Sequence, residues 1–125
     1  MDEAKDIHVS LRKASGLIQF VKDHLAPQLA QKPPDGSDLD VRVVAAYLNQ
    51  CTAEAQEVTI ARAIELKHNA SLISALANET SKMYTTAADA LGTLDQKIFG
   101  HWRIYFALKA KFYLAYVSPC VRKTI

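Results

Sequence analysis

The sequence predicts an all-α fold of about four antiparallel helices, and three observations carry that expectation. Apolar residues recur at steps of three and four along most of the chain, as one face of a helix requires. No stretch alternates with the two-residue period of a strand. Turn signals at residues 27–37, at His68-Asn69 and at Gly92 divide the chain into long stretches joined by links. Such links place successive helices antiparallel, either in a bundle or as helical hairpins in a solenoid. The chain has 125 residues, half of them hydrophobic, with only four glycines and four prolines, which is a globular composition.

Each helix has its own signature. In the first, Ile7, Leu11, Ala14, Ile18, Val21 and Leu25 form one apolar stripe, with Arg12, Lys13, Lys22 and Asp23 off it. Pro27 falls near its end, and Lys32-Pro-Pro-Asp-Gly-Ser37 is a turn. Ser37 with Asp40 resembles a capping box that opens the second helix. That helix is expected to run to about Lys67. It is alanine-rich and uncharged from Val44 to Ala53, which suits a helix gripped on more than one side. Asn69 is a good N-cap for a third helix over 70–91, Gly92 fits the position just past its end, and Thr93-Leu-Asp-Gln96 resembles a capping box for the fourth. The fourth helix holds Phe99, Trp102, Tyr105, Phe106, Phe112, Tyr113 and Tyr116. These are spread over most of its circumference, so it is expected to be buried rather than to lie on a surface.

Composition narrows the function classes. A formal net charge of +2 does not argue for nucleic acid. The basic residues Lys97, Arg103, Lys109, Lys111, Arg122 and Lys123 stand against Asp95 alone in the last quarter, and read as a solvated face. Cys51 and Cys120 make no disulfide framework, and Cys51 reads as a small buried hydrophobe. The acidic start MDEAKDIHVS is no signal peptide, and the longest apolar run, Val43 to Leu48, is far short of a membrane span. A cytoplasmic setting is the default expectation.

No catalytic residues emerge. Glu65-Leu-Lys-His68 is one Glu-x-x-His unit of the kind di-iron bundles use, but a second is missing, because Glu79-Thr-Ser-Lys82 offers a lysine instead. His8, His24 and His101 stand alone, and no phosphate loop or nucleophile elbow is present. Neither an enzyme nor a metal nor a cofactor is expected.

One surface stands out. The third helix has two apolar stripes: Ile73, Ala77, Tyr84, Ala87 and Leu91 as an ordinary core face, and Leu72, Leu76 and Met83 turned about 100° away. On the second helix Ala55, Thr59, Arg62 and Leu66 share a small, mixed face near the joint. A shallow groove lined by Leu72 and Leu76, with Arg62 at its rim, would suit an amphipathic helix carrying acidic residues.

The run Glu54-Ala-Gln-Glu-Val-Thr-Ile-Ala-Arg-Ala-Ile-Glu-Leu-Lys-His68, followed by Leu72-Ile-Ser-Ala-Leu-Ala-Asn-Glu79, resembles the middle of a BRO-one domain. Alix, the His-domain tyrosine phosphatase, the rhophilins and Brox share this domain, and the likeness is greatest to the Brox branch. Ser10-Leu-Arg-Lys-Ala-Ser-Gly16, Trp102-Arg-Ile-Tyr-Phe-Ala-Leu-Lys109 and Phe112-Tyr-Leu-Ala-Tyr116 extend the resemblance over residues 2–117. It implies a tetratricopeptide-like helical-hairpin solenoid and an adaptor role in endosomal sorting and membrane remodelling. It further implies a concave patch that binds the C-terminal amphipathic helix of the polymer-forming ESCRT-III subunit, charged multivesicular body protein four. Carried over position by position, the aliphatic contacts of that patch fall on Leu72 and Leu76, and its basic contact on Arg62. An aromatic contact falls on Thr59, which has lost the ring, and a lysine at the patch edge aligns with Lys5.

The departures set further expectations. A full domain of this family is longer, so residues 1–117 read as a partial domain and 118–125 as a divergent tail. Arg122 stands where a Cys-a-a-X box needs its cysteine, so no prenyl anchor is expected. An incomplete domain would leave the aromatics of the fourth helix open to self-association. The alternative to a binding module is a purely structural scaffold segment that binds nothing unaided.

Overall fold

A computed structural model describes residues 2–117 of the chain. Four α-helices make up the fold: α1 (Asp2–Phe20), α2 (Val41–Glu65), α3 (Ala70–Ala90) and α4 (Gln96–Leu114). Among the described residues there is no strand. The tail 118–125, with Cys120, Arg122 and Lys123, lies outside them.

The first helix loosens before it stops. A π turn over Val21–Leu25 and a 3-10 turn over Ala26–Gln28 follow α1. Pro27 sits in the latter, where its missing N–H and fixed φ cannot extend an α-helix.

Asp40, not Ser37, caps α2. Its carboxylate accepts the Arg42 backbone N–H at 2.9 Å and the Gly36 N–H at 2.8 Å. Residues 37–40 instead close a turn of their own, Asp40 N–H to the Ser37 carbonyl at 2.9 Å. Gly36 enters that turn at φ 79°, a left-handed conformation glycine tolerates. The Arg42 guanidinium, which also hydrogen-bonds Asp40, holds the carboxyl well below the usual carboxylate range.

A smaller shift, of two residues, corrects the start of α4. Asp95 is the cap, accepting the Lys97 N–H at 2.9 Å, while Thr93 takes a hydrogen bond from Arg42. Gln96 donates back to the Leu91 and Leu94 carbonyls, closing the α3–α4 joint. Asn69 caps α3 as expected, accepting the Leu72 N–H at 2.8 Å. Gly92 does not take the left-handed position after α3, since Gly36 is the one described glycine at positive φ. That conformation falls on Lys67, at φ 57°, just past α2. There His68 N–H reaches the Ala63 carbonyl and Lys67 N–H the Ile64 carbonyl, both at 3.0 Å, which is the Schellman pattern with lysine where glycine is usual.

The helices pack in chain order, α1 on α2, α2 on α3 and α3 on α4. This is a pair of helical hairpins rather than a closed bundle. Alanines and valines of α2 (Val43, Ala46, Ala53) give close approach, and the larger Tyr84, Leu91, Phe106 and Tyr113 fill the space opposite. Cys51 is half-buried, not fully buried as its apolar neighbours suggested. Burial first, then the Glu54 carboxylate, push its thiol up.

Side chains of α4 reach past α3 to α2. Trp102 Nε1 donates to Gln50 at 2.9 Å, Tyr105 to Glu54 at 2.9 Å, Lys109 to Glu57 at 2.8 Å and Tyr113 to Glu57 at 2.7 Å. Tyr84 of α3 donates to the other Glu57 oxygen. The partners ascend together, so α4 runs parallel to α2. Burial, reinforced by Glu54, pushes the Tyr105 hydroxyl up to about 12, and burial with Glu57 raises Tyr84 and Tyr113 further.

The fourth helix is not buried all round. Phe106 and Tyr113 are buried, but Ile104, Leu108 and Phe112 are 58%, 62% and 55% exposed. α3 and side chains of α2 cover its inner side, and the face that carries Ile104, Leu108 and Phe112 is open.

Candidate partner-helix groove

The hydrogen bond between Ser15 and Thr52, 3.1 Å, sets the register of α1 against α2. The two helices run antiparallel, so a residue moved toward the start of α1 meets one moved equally toward the end of α2. His8 then stands opposite Thr59, and Lys5 opposite Arg62. On the other side of α2, Gln56 Nε2 donates to the Leu76 carbonyl at 3.3 Å and anchors α3 beside the same stretch. The three helices therefore splay around one groove of about 600 Å³, near the α2–α3 joint.

Its lining contains Lys5 and His8 from α1, Thr59 and Arg62 from α2, His68 from the joint, and Leu72 and Leu76 from α3. All five residues named from the sequence thus meet in one place. Leu72 remains 41% exposed although its N–H is capped, and Leu76 is half-buried against the core. Met83, placed on the same stripe by spacing, packs against the core instead. The stripe divides where α3 leaves the groove. Ala4, Val58 and Ala63 complete an apolar floor.

The rim is cationic. Lys5 is exposed and Arg62 lies at 3.5 Å from Glu65, its ion-pair partner one turn on. Both Glu65 and Arg62 are solvent-accessible, so this pair is weak and leaves the guanidinium available. Thr59 is exposed and its hydroxyl makes only a long contact, 3.4 Å, with the Ala55 carbonyl. The position offers a small, open surface. His8 and His68 were not singled out as contacts by sequence reasoning. The signal was present in the spacing of Lys5 and His8, three apart on one face, but only the α1–α2 register brings them to the groove.

Chemically, the groove joins apolar side chains at 58, 63, 72 and 76 to bases at its rim, so it can cover an apolar surface and attract negative charge. Among the described residues no group of three or more histidines, cysteines or carboxylates converges as a metal site. Glu65, one half of the Glu-x-x-His unit, faces Arg62. No described helix is long and apolar enough to cross a membrane.

The family model described as a BRO1-like domain matches residues 2–119. The chain belongs to the BRO1-like domain family. Over 115 residues, 92% of the chain, it is 51% identical to the BRO1 domain-containing protein BROX of Danio rerio and 49% identical to that of Homo sapiens. A more distant relative is the vacuolar protein-sorting protein BRO1 of Cryptococcus neoformans, 26% identical over 113 residues. The chain spans 28% of the length of the two BROX proteins and 11% of the fungal one. The all-helical fold is consistent with that family.

Proposed function

We propose that this BRO1-like segment is a protein-binding adaptor module of endosomal sorting whose α1–α2–α3 groove receives the C-terminal amphipathic helix of the polymer-forming ESCRT-III subunit. One observation carries the reading. Leu72, Leu76, Arg62, Thr59 and Lys5, from three separate helices, line a single groove with an apolar floor and a basic rim. The vacuolar protein-sorting name of the fungal relative points to the same process. In this reading the partner brings the chain to endosomal membranes from the cytoplasm. The chain performs no catalysis. Its work is to supply affinity through Leu72 and Leu76 and orientation through Arg62 and Lys5.

The test is a titration of the ESCRT-III helix peptide against the full chain and against Leu76→Asp, with circular dichroism as the folding control. A carboxylate placed against the apolar floor costs about 2–4 kcal/mol without a partner, so binding should weaken about 30-fold or more. Arg62→Glu should weaken it too, with a reduced salt dependence. Equal binding by the chain and by folded Leu76→Asp removes the groove from the reading. A second reading, a scaffold segment that binds nothing unaided, draws on the open outer face of α4. Absence of peptide binding by the chain, with binding by a full-length relative, would favour it.

A further inference from the structure

The helix-binding reading leaves two groove residues without a role, His8 on α1 and His68 in the joint. Four side chains of the lining carry charge or can acquire it: Lys5, His8, Arg62 and His68. All four are bases. We infer that His8 and His68 are specificity-determining residues of the groove, which by taking up protons grade its affinity for a carboxylate-bearing helix with pH. This rests on the helix-binding reading and deepens it.

Placement makes the argument. In the antiparallel register set by Ser15 and Thr52, the Lys5–Arg62 rung lies one turn from the His8–Thr59 rung, about 4.5 Å along the axis. His68 follows the end of α2 and lines the same groove as Arg62 and Leu72. The other charged groups of these elements are Glu3, Asp6, Arg12 and Lys13 on α1, Arg42, Glu54, Glu57 and Glu65 on α2, and Lys67 in the joint, while the α3 stretch from Ala70 to Asn78 has none. Glu54 and Glu57 are turned to α4, and Arg42 is tied to Asp40 at the far end of α2. No carboxylate lines the groove, and Glu65 is turned to Arg62 at 3.5 Å. A partner that brings carboxylates to this rim therefore supplies the counter-charge the lining lacks.

That counter-charge favours the imidazolium form, so binding takes up protons and strengthens as pH falls. The sign is opposite for a partner with a basic rim, which protonated histidines would repel, and a neutral rim would give no dependence. Lys5 and Arg62 set the constant attraction, and the two histidines set the part that pH changes.

The test is calorimetric titration of the full chain and of the His8→Gln, His68→Gln double variant with the ESCRT-III helix peptide, at about pH 7.5 and about pH 6. A peptide with its glutamates changed to glutamine serves as the control, and circular dichroism checks the fold at both values. The chain should bind about 3- to 10-fold tighter at the lower pH, a step expected of one or two added surface charges. The double variant and the control peptide should show no such step. Buffers of different ionisation enthalpy should report proton uptake for the chain alone. Binding that does not change with pH, or the same change in the double variant, overturns this inference and leaves the groove reading standing. No binding at either pH overturns both.

Discussion

Lys109 Nζ and Glu57 Oε1 stand 2.8 Å apart and tie α4 to α2 across the intervening α3. The same carboxylate accepts the Tyr113 hydroxyl at 2.7 Å and the Tyr84 hydroxyl on its second oxygen. Tyr84 is fully buried, so removing Glu57 takes away the carboxylate acceptor of a buried residue's hydroxyl. Glu57→Ala should therefore cost about 3 kcal/mol, the sum of a lost charge-assisted bond and an orphaned buried hydroxyl. Glu57→Gln keeps an acceptor for one tyrosine and should cost less, about 1–2 kcal/mol. Urea unfolding of both variants checks the order, and an alanine variant as stable as the glutamine one would contradict it.

Lys67 offers the opposite effect. It holds φ 57° to complete the Schellman closure of α2, a conformation that costs a side-chain-bearing residue. Lys67→Gly should stabilise the chain by about 1 kcal/mol, because relief of that strain outweighs the freer unfolded chain. Thermal unfolding reads the gain. Lys67→Ala keeps the strain and should show little or none of it.

The contrast between Lys67 and Gly92 shows which features the sequence makes legible. Helix positions follow from apolar spacing, and Asn69 is a readable cap because no rival acceptor stands beside it. The starts of α2 and α4 are three and two residues later than the Ser37 and Thr93 boxes imply, because the Asp40 and Asp95 carboxylates cap the first helical N–H groups. Leu72 and Leu76 are legible as a second stripe on α3, and the family resemblance adds Arg62, Thr59 and Lys5. His8 and His68 are not, since their meeting depends on how α1 lies along α2. The Gln50–Glu54–Glu57 ladder is equally hidden. Its partners on α4 are some fifty residues away, and pair only once α3 sets α4 parallel to α2.

Asp40 couples stability to acid. Its carboxyl is held below its ordinary value of 3.8, chiefly by the Arg42 guanidinium, with the Gly36 and Arg42 N–H groups adding to the effect. A depressed folded-state value means the unfolded chain binds the proton first as pH falls. The stability from this cap is thus fully present above about pH 4 and drains away as pH drops through 3.8 toward the lower folded value. Asp40→Asn should keep most of the capping at neutral pH but flatten the loss of stability between about pH 4 and pH 2. Unfolding curves at stepped pH measure the slope, and equal slopes in the two proteins would refute the assignment.

The outer face of α4 makes a prediction about salt. Ile104, Leu108 and Phe112 recur every four residues and are each more than half exposed, which forms a continuous apolar strip. Lys97, His101 and Lys111 share this exposed side, and α4 contains no carboxylate between Gln96 and Leu114. Pairing of two copies through this strip would bury the apolar residues but bring lysines of both copies together. Salt screens that repulsion, with a Debye length of about 10 Å at 0.1 M falling to about 3 Å at 1 M, and leaves the apolar attraction intact. Self-association of the chain should therefore increase with ionic strength, the reverse of what an ion-paired interface would do. Sedimentation across a salt series should show that rise, and Leu108→Lys should abolish it by adding a charge at the centre of the strip. Association that weakens with salt, or survives in Leu108→Lys, would place the contact elsewhere on the molecule.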